Sequence, residues 1–222
     1  MKKYLVLFAT LSLSFQLNAQ KNIGIMGGTN LSNLRIRNVQ ELVAPLLPSE
    51  YQSKWAFYAG GYADFSLSDL IFLTPELFYA NRGYKMVYDP LNTTFRVANN
   101  TIVLPVLVKF NILEKLQIYT GPEFSYVVDQ NIKDLTNGTI NIESTSDRSF
   151  DIAFSAGVSF TLLKKLSIDL RYNFGLNDLK KTYYIPGDFI DPGLAGQQVP
   201  VDYAAYNWSF QTGLRYSFIS KN

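Results

Sequence analysis

The sequence predicts an all-β chain, an eight-stranded antiparallel transmembrane up-and-down β-barrel with short turns at one end and four long loops at the other. Three observations predict it. The segment Tyr206–Phe218 alternates without a break, placing Tyr206, Trp208, Phe210, Thr212, Leu214, Tyr216 and Phe218 on one face of a strand and polar or small residues on the other. Connections between such segments are short and long by turns. The N-terminus has the form of an export signal, and no later apolar run approaches the ~20 residues of a spanning helix. In lipid, that leaves only a closed barrel to satisfy the backbone.

Residues 1–19 read as a cleaved signal peptide. Lys2 and Lys3 precede an apolar run from Tyr4 to Phe15, and a short polar stretch ends in Leu17-Asn18-Ala19 before Gln20. That is the charged, apolar, small-residue order of a secretory signal. Residues 20–222 then form a single barrel domain. Removing Lys2 and Lys3 from the 20 basic residues leaves 18 against 18 acidic ones, so the mature chain is neutral. No basic excess points to nucleic acid. The chain has no cysteine, hence no disulfide and no lipid anchor through an N-terminal Cys.

The strands are read at 22–31, 54–67, 70–84, 100–112, 116–129, 150–162, 166–177 and 205–218. The first is rich in glycine (Gly24, Gly27, Gly28) and alternates least. The second sets Trp55, Phe57, Ala59 and Phe65 against Tyr58, Gly60, Tyr62 and Asp64. The fourth sets Ile102, Leu104 and Phe110 against Val103, Leu107 and Lys109. The sixth sets Phe150, Phe154 and Phe160 against Asp151, Ser155 and Ser159, and the seventh sets Ile168, Leu170 and Tyr172 against Asp169, Arg171 and Asn173. Apolar outside and polar inside is what a lipid-embedded barrel requires. Pro75, Pro105 and Pro122 fall inside strands, where a missing N–H leads us to expect bulges or bends.

Three connections are polar pairs flanked by leucine: Ser68-Asp69, Glu114-Lys115 and Lys164-Lys165. The other four, 32–53, 85–99, 130–149 and 178–204, are long. Bacterial outer-membrane barrels keep short turns periplasmic and long loops extracellular. Outward aromatics gather toward the strand ends as two girdles, Trp55, Tyr79, Tyr126, Phe174 and Trp208 at the outer interface and Phe65, Phe110, Phe160 and Phe218 at the inner one.

Gln211, Gly213, Tyr216 and Phe218 form a polar-x-Gly-x-x-aromatic-x-aromatic pattern that resembles the closing strand of outer-membrane barrels. That resemblance implies an insertion signal read by the barrel-insertion machinery. Asn18-Ala19-Gln20, the run Gly24-Ile-Met-Gly-Gly-Thr-Asn30, Leu73-Thr-Pro-Glu-Leu-Phe-Tyr79 and Leu214-Arg-Tyr-Ser-Phe218 together resemble the PorT-like family, small outer-membrane barrels abundant in Bacteroidetes-type bacteria. The resemblance implies the same barrel and location, and a possible link to type IX protein secretion. It brings no set of functional residues.

The chain has neither histidine nor cysteine, which removes Ser-His-Asp, Cys-His and the usual zinc sets. What remains is a group of inward charges: Asp64, Glu76, Glu123 and Asp169 with Arg82, Lys109, Arg171 and Arg215. Glu76 and Glu123 could serve as an acid/base pair of the glycosidase kind. The stronger reading is a salt-bridged plug, because an eight-stranded barrel is just wide enough for its own side chains to fill and charges there must pair. We therefore expect no catalytic, cofactor or metal site. Gly24-Ile-Met-Gly-Gly28 lacks the βαβ context of a nucleotide loop. Lys164-Lys165 and Lys180-Lys181 read as solvated charges with a weaker alternative as headgroup contacts. Asp188, Asp191 and Asp202 lack the dense spacing of a calcium loop.

Individuality is left to the loops. The first contains the apolar Val39-Gln-Glu-Leu-Val-Ala-Pro-Leu-Leu47, and the last is rich in Pro and Gly. The expected function is a structural or interaction role in the cell envelope, in contact with outer-membrane lipid and docking an envelope partner through 32–53 and 178–204. The alternatives are a narrow channel or lipid- or small-ligand-handling barrel and, further off, a soluble periplasmic lipocalin-like binder with its faces reversed.

Overall fold

The computed structural model describes residues 20–37, 48–89, 92–136, 141–143, 150–176, 181–186, 193 and 198–220. Residues 1–19, expected to be a signal peptide, the apolar segment 39–47, Asp188 and Asp191 lie outside them.

Among the described residues ten strands run in chain order: β1 (Gln20–Arg37), β2 (Glu50–Ser66), β3 (Ile71–Tyr88), β4 (Thr93–Leu113), β5 (Leu116–Asp134), β6 (Asn141–Glu143), β7 (Phe150–Leu163), β8 (Leu166–Gly175), β9 (Lys181–Pro186) and β10 (Gln198–Ser220). All but β6 and β9 form a closed ring of eight antiparallel strands, in which each pairs with the next and β10 returns to β1. The described residues contain no helix long and apolar enough to cross a membrane.

The register fixes the tilt. Paired residues followed once around the ring are Phe160, Ile168, Leu214, Gly27, Ala59, Tyr79, Ile102, Tyr126 and finally Phe150, ten residues from the start on the same strand. With strands ~4.8 Å apart and ~3.3 Å per residue, this stagger tilts them by about 40°. The axial rise is then about 2.5 Å per residue, so Phe150 stands about 25 Å above Phe160, the height of the apolar band of such barrels. Trp55, Tyr126 and Phe174 are exposed toward the upper end, and Trp208 stacks on Tyr172 there. Phe160 and Phe218 are exposed at the lower end. Tyr79, five steps along the path, lies about 16 Å up and Phe174 about 18 Å, both lower than Trp55 and Tyr126 at about 22 Å.

The turns are where the leucine-flanked pairs stand. Leu113 pairs with Leu116 around Glu114-Lys115, and Leu163 with Leu166 around Lys164-Lys165. The first turn is wider than expected: β2 stops at Ser66 and β3 starts at Ile71, with the Ser68 hydroxyl accepting from the Ile71 amide at 3.2 Å. The prolines also correct the sequence reading. Pro75 pairs with Val106 and, three residues on, Phe78 with Val103; Pro105 pairs with Glu123, and Val108 with Thr120. The register thus passes through them unshifted. The irregularities instead fall between Gln20 and Asn22, Ile23 and Gly24, Ser53 and Tyr58, Asn100 and Thr101, and at the bottom turns.

Above the bilayer the strands continue further than the alternation indicated. Most of 85–99 is strand, and the β3–β4 hairpin closes at Asp89–Asn92, with the Asn92 amide donating to the Asp89 carbonyl at 3.0 Å. In the last connection, β9 pairs with the start of β10 from Gln198↔Pro186 to Tyr203↔Lys181. The sheet splits here: β1 pairs with β2 only up to Ser32, while its upper end stays with β10. Leu34, Ile36 and Ala205 on one side meet Tyr51 and Tyr84 on the other, an apolar cluster over the mouth. Gly83, at φ +140°, lets β3 approach Val97, and its amide and carbonyl both bond the Ser32 hydroxyl, at 2.9 and 2.8 Å.

Candidate functional site

The interior is built by the period of two. On β2, β4, β5, β7 and β8 every second residue points inward, and the tilt staggers those from neighbouring strands into tiers. All eight charges named from the sequence face this interior, and each has an ion-pair partner.

In the lower tier the Lys109 ammonium lies 3.0 Å from Asp64 Oδ1. Thr74 donates to the same oxygen at 2.6 Å, and Asn22 to the other at 3.3 Å. The middle tier centres on Glu76, 1% exposed. Arg171 Nη2 reaches its Oε2 at 2.8 Å and Arg215 Nη1 its Oε1 at 2.6 Å. Asp169 lies 3.8 Å from Arg171 and 3.6 Å from Arg215, and accepts from the Tyr119 hydroxyl at 2.5 Å. In the upper tier Arg82 Nη2 meets Glu123 Oε1 at 2.8 Å, and Ser155 donates to Glu123 at 3.1 Å. β3 and β8 stand opposite each other in the ring order, so Arg171–Glu76 ties the barrel across its full width.

Aromatic rings fill the space the charges leave. The Arg215 guanidinium sits 3.9 Å from the centre of the Tyr62 ring, and that of Arg171 lies 5.2 Å from Tyr119 and 5.8 Å from Phe78. Such contacts contribute about 0.5–2 kcal/mol each. Glycine makes the room. A Cβ on Gly157 would stand 2.4 Å from the Tyr119 hydroxyl, and one on Gly213 equally close to that of Tyr58. On β1, a Cβ on Gly24 would stand 2.7 Å from the Tyr62 ring and one on Gly28 2.1 Å from the Thr212 carbonyl oxygen, so these glycines stand where neighbouring groups approach closely.

Two inward charges were missed. Lys54, 8% exposed, donates to the Asn81 side chain, and Asp151, 7% exposed, accepts from Asn207 at 3.0 Å. Asp151 was already visible on the inner face of its strand. Lys54 also shares the phase of Tyr58, Tyr62 and Asp64 on the inner face of β2, so counting by two would have placed it. Glu76 and Glu123, the candidate acid/base pair, belong to separate ion pairs with different arginines. Of the closing signature, Gln211 is buried and faces inward, Gly213 pairs with Gly28, and Tyr216 and Phe218 point outward with rings edge-to-face at 5.7 Å. No cluster of acidic residues that could hold a metal occurs among the described residues.

Above the plug a small cavity of about 30 Å³ is lined by Ser32, Asn99, Ser125, Asn173 and Trp208. Below it a vestibule of about 260 Å³ opens at the end of the barrel that carries the short turns.

Residues 18–181 match the family described as Outer membrane protein beta-barrel domain. Among solved structures, the chain is similar to Neisserial surface protein A, with 16% identity and a TM-score of 0.53, over 90% of this chain and 100% of that one. It is also similar to OprG from Pseudomonas aeruginosa, with 12% identity and a TM-score of 0.48 over 91% of this chain and 98% of that one. For Ail of Yersinia pestis the identity is 12% and the TM-score 0.45, over 89% and 99%. No curated sequence matches the chain. The inward charges, the lipid-facing apolar band and the family match agree, and the chain belongs to the outer membrane protein beta-barrel domain family, as an eight-stranded barrel of the outer membrane.

Proposed function

We propose that this barrel is a non-enzymatic structural and interaction protein of the cell envelope, sealed along its axis and acting through its extracellular strands and loops. The observation that carries it is the middle tier: Glu76, Asp169, Arg171 and Arg215 are each 1–3% exposed and interlocked across the lumen. A lumen closed by its own side chains leaves little room for a solute path. It also leaves no carboxylate unpaired for acid/base work among the four acids, which supports the reading without hydrolysis. The partner would meet the segments 32–53 and 178–204 and the β3–β4 hairpin. The PorT-like resemblance makes a protein-secretion component one candidate partner.

Photo-crosslinking in cells tests this. A crosslinking amino acid at Glu50, Gln52, Asp89 or Asn92, all exposed above the bilayer, is expected to give a discrete adduct with an envelope protein from at least one position. Adducts with lipopolysaccharide alone from all four would count against docking.

A further inference from the structure

We propose that the periplasmic vestibule is a binding site for a small organic anion bearing a phosphate or carboxylate group. The vestibule is a cavity of about 260 Å³ inside the ring, large enough for many waters and so for a molecule of sugar-phosphate size. It opens between the turns that carry Glu114 and Lys164-Lys165, on the side away from the long loops. Its lining includes Lys109, Lys164, Lys165 and Arg215 but only two acids, Asp64 and Glu114.

Asp64 balances Lys109 and Glu76 balances Arg215, so the excess positive charge of the lining is that of Lys164-Lys165 over Glu114. Asp64 is taken by Lys109, Thr74 and Asn22 through both of its oxygens. Arg215 is the only member of the middle tier that also lines the vestibule. It gives Nη1 to Glu76, while its Nη2 is buried with no hydrogen-bond partner. Lys164 and Lys165 stand exposed at the entrance, against Glu114. The remaining lining is rich in hydroxyl and amide groups, among them Gln117, Ser159 and Thr161, which hydrogen-bond oxyanions and sugars alike. A cleft lined by one excess sign of charge, with low-dielectric walls, concentrates the field on an entering anion.

The lipid surface lies outside the ring, so a soluble periplasmic anion, not a headgroup, fits inside it. The test is NMR of the full mature chain in zwitterionic detergent, titrated with glucose 6-phosphate, inorganic phosphate and glucose. Saturable shifts are expected at the Ser159, Thr161 and Ser217 amides with both phosphates and not with glucose, weakening at least fivefold in Lys164→Gln/Lys165→Gln. These turn residues are exposed, so the variant should fold. Lys109→Met/Asp64→Leu, removing a charge pair of the lining together, is the second variant and should alter the same shifts. Absent or non-saturable shifts, or shifts unchanged in the turn variant, would overturn the proposal. So would shifts seen only when anionic phospholipid is added, since that would assign the lysines to headgroups.

Discussion

Glu76→Gln is the perturbation that most directly weighs the plug. The substitution keeps the shape of the side chain and removes the charge that accepts from Arg215 at 2.6 Å and forms an ion pair with Arg171 at 2.8 Å. Both arginines are nearly fully buried, so neither can turn to solvent. Removing one member of a buried pair costs about 3–5 kcal/mol, because the partner charge stays behind uncompensated. Asp169, at 3.6–3.8 Å from both arginines, takes up part of the loss. The expected cost is therefore about 3 kcal/mol, the lower end of that range. With a slope of about 2 kcal/mol/M, the urea midpoint of the barrel refolded in phospholipid vesicles should fall by about 1.5 M. The companion Glu76→Met/Arg215→Met should recover much of this, since replacing both members by apolar groups is often close to neutral. A midpoint for Glu76→Gln within about 0.3 M of the parent would refute the reasoning, as it would mean the arginines are solvated and the lumen is wet.

Other outcomes follow from the same geometry. Leu77→Arg, in the middle of the lipid-facing side of β3 and 55% exposed, should cost about 2–4 kcal/mol by vesicle unfolding. Gly157→Val should displace the Tyr119 ring, destabilising the barrel by about 1–3 kcal/mol with a changed near-ultraviolet circular dichroism signal. Phe218→Ala should lower the amount assembled in cells several-fold while purified protein still refolds in detergent. Equal assembly would remove the insertion role given to the closing strand.

The sequence made the barrel legible because lipid imposes a strict rule on each ring strand, and Trp55, Leu104, Phe160 and Ile168 obey it residue by residue. Where lipid ends, the rule ends. Residues 85–88 and 93–99 face water on the outside, so alternation fades although Tyr88 and Phe95 still hold the hairpin through a ring contact at 5.9 Å. The short β6 and β9 went unread for the same reason. Inward charges were recognisable from strand phase alone, but their pairing was not. Arg171 and Glu76 belong to strands on opposite sides of the ring, and only the closure and stagger of the whole sheet bring them together. At the prolines, the expectation of a bulge failed because a missing donor removes one ladder bond without forcing an extra residue into the strand.

Planar-bilayer recording of the purified, refolded barrel at neutral pH tests the central claim most directly. The account predicts no stable conductance steps above baseline for the parent chain. Stable, reproducible steps would contradict it, most decisively if they also changed in size with Glu76→Gln, because the lumen would then be an open path lined by these charges.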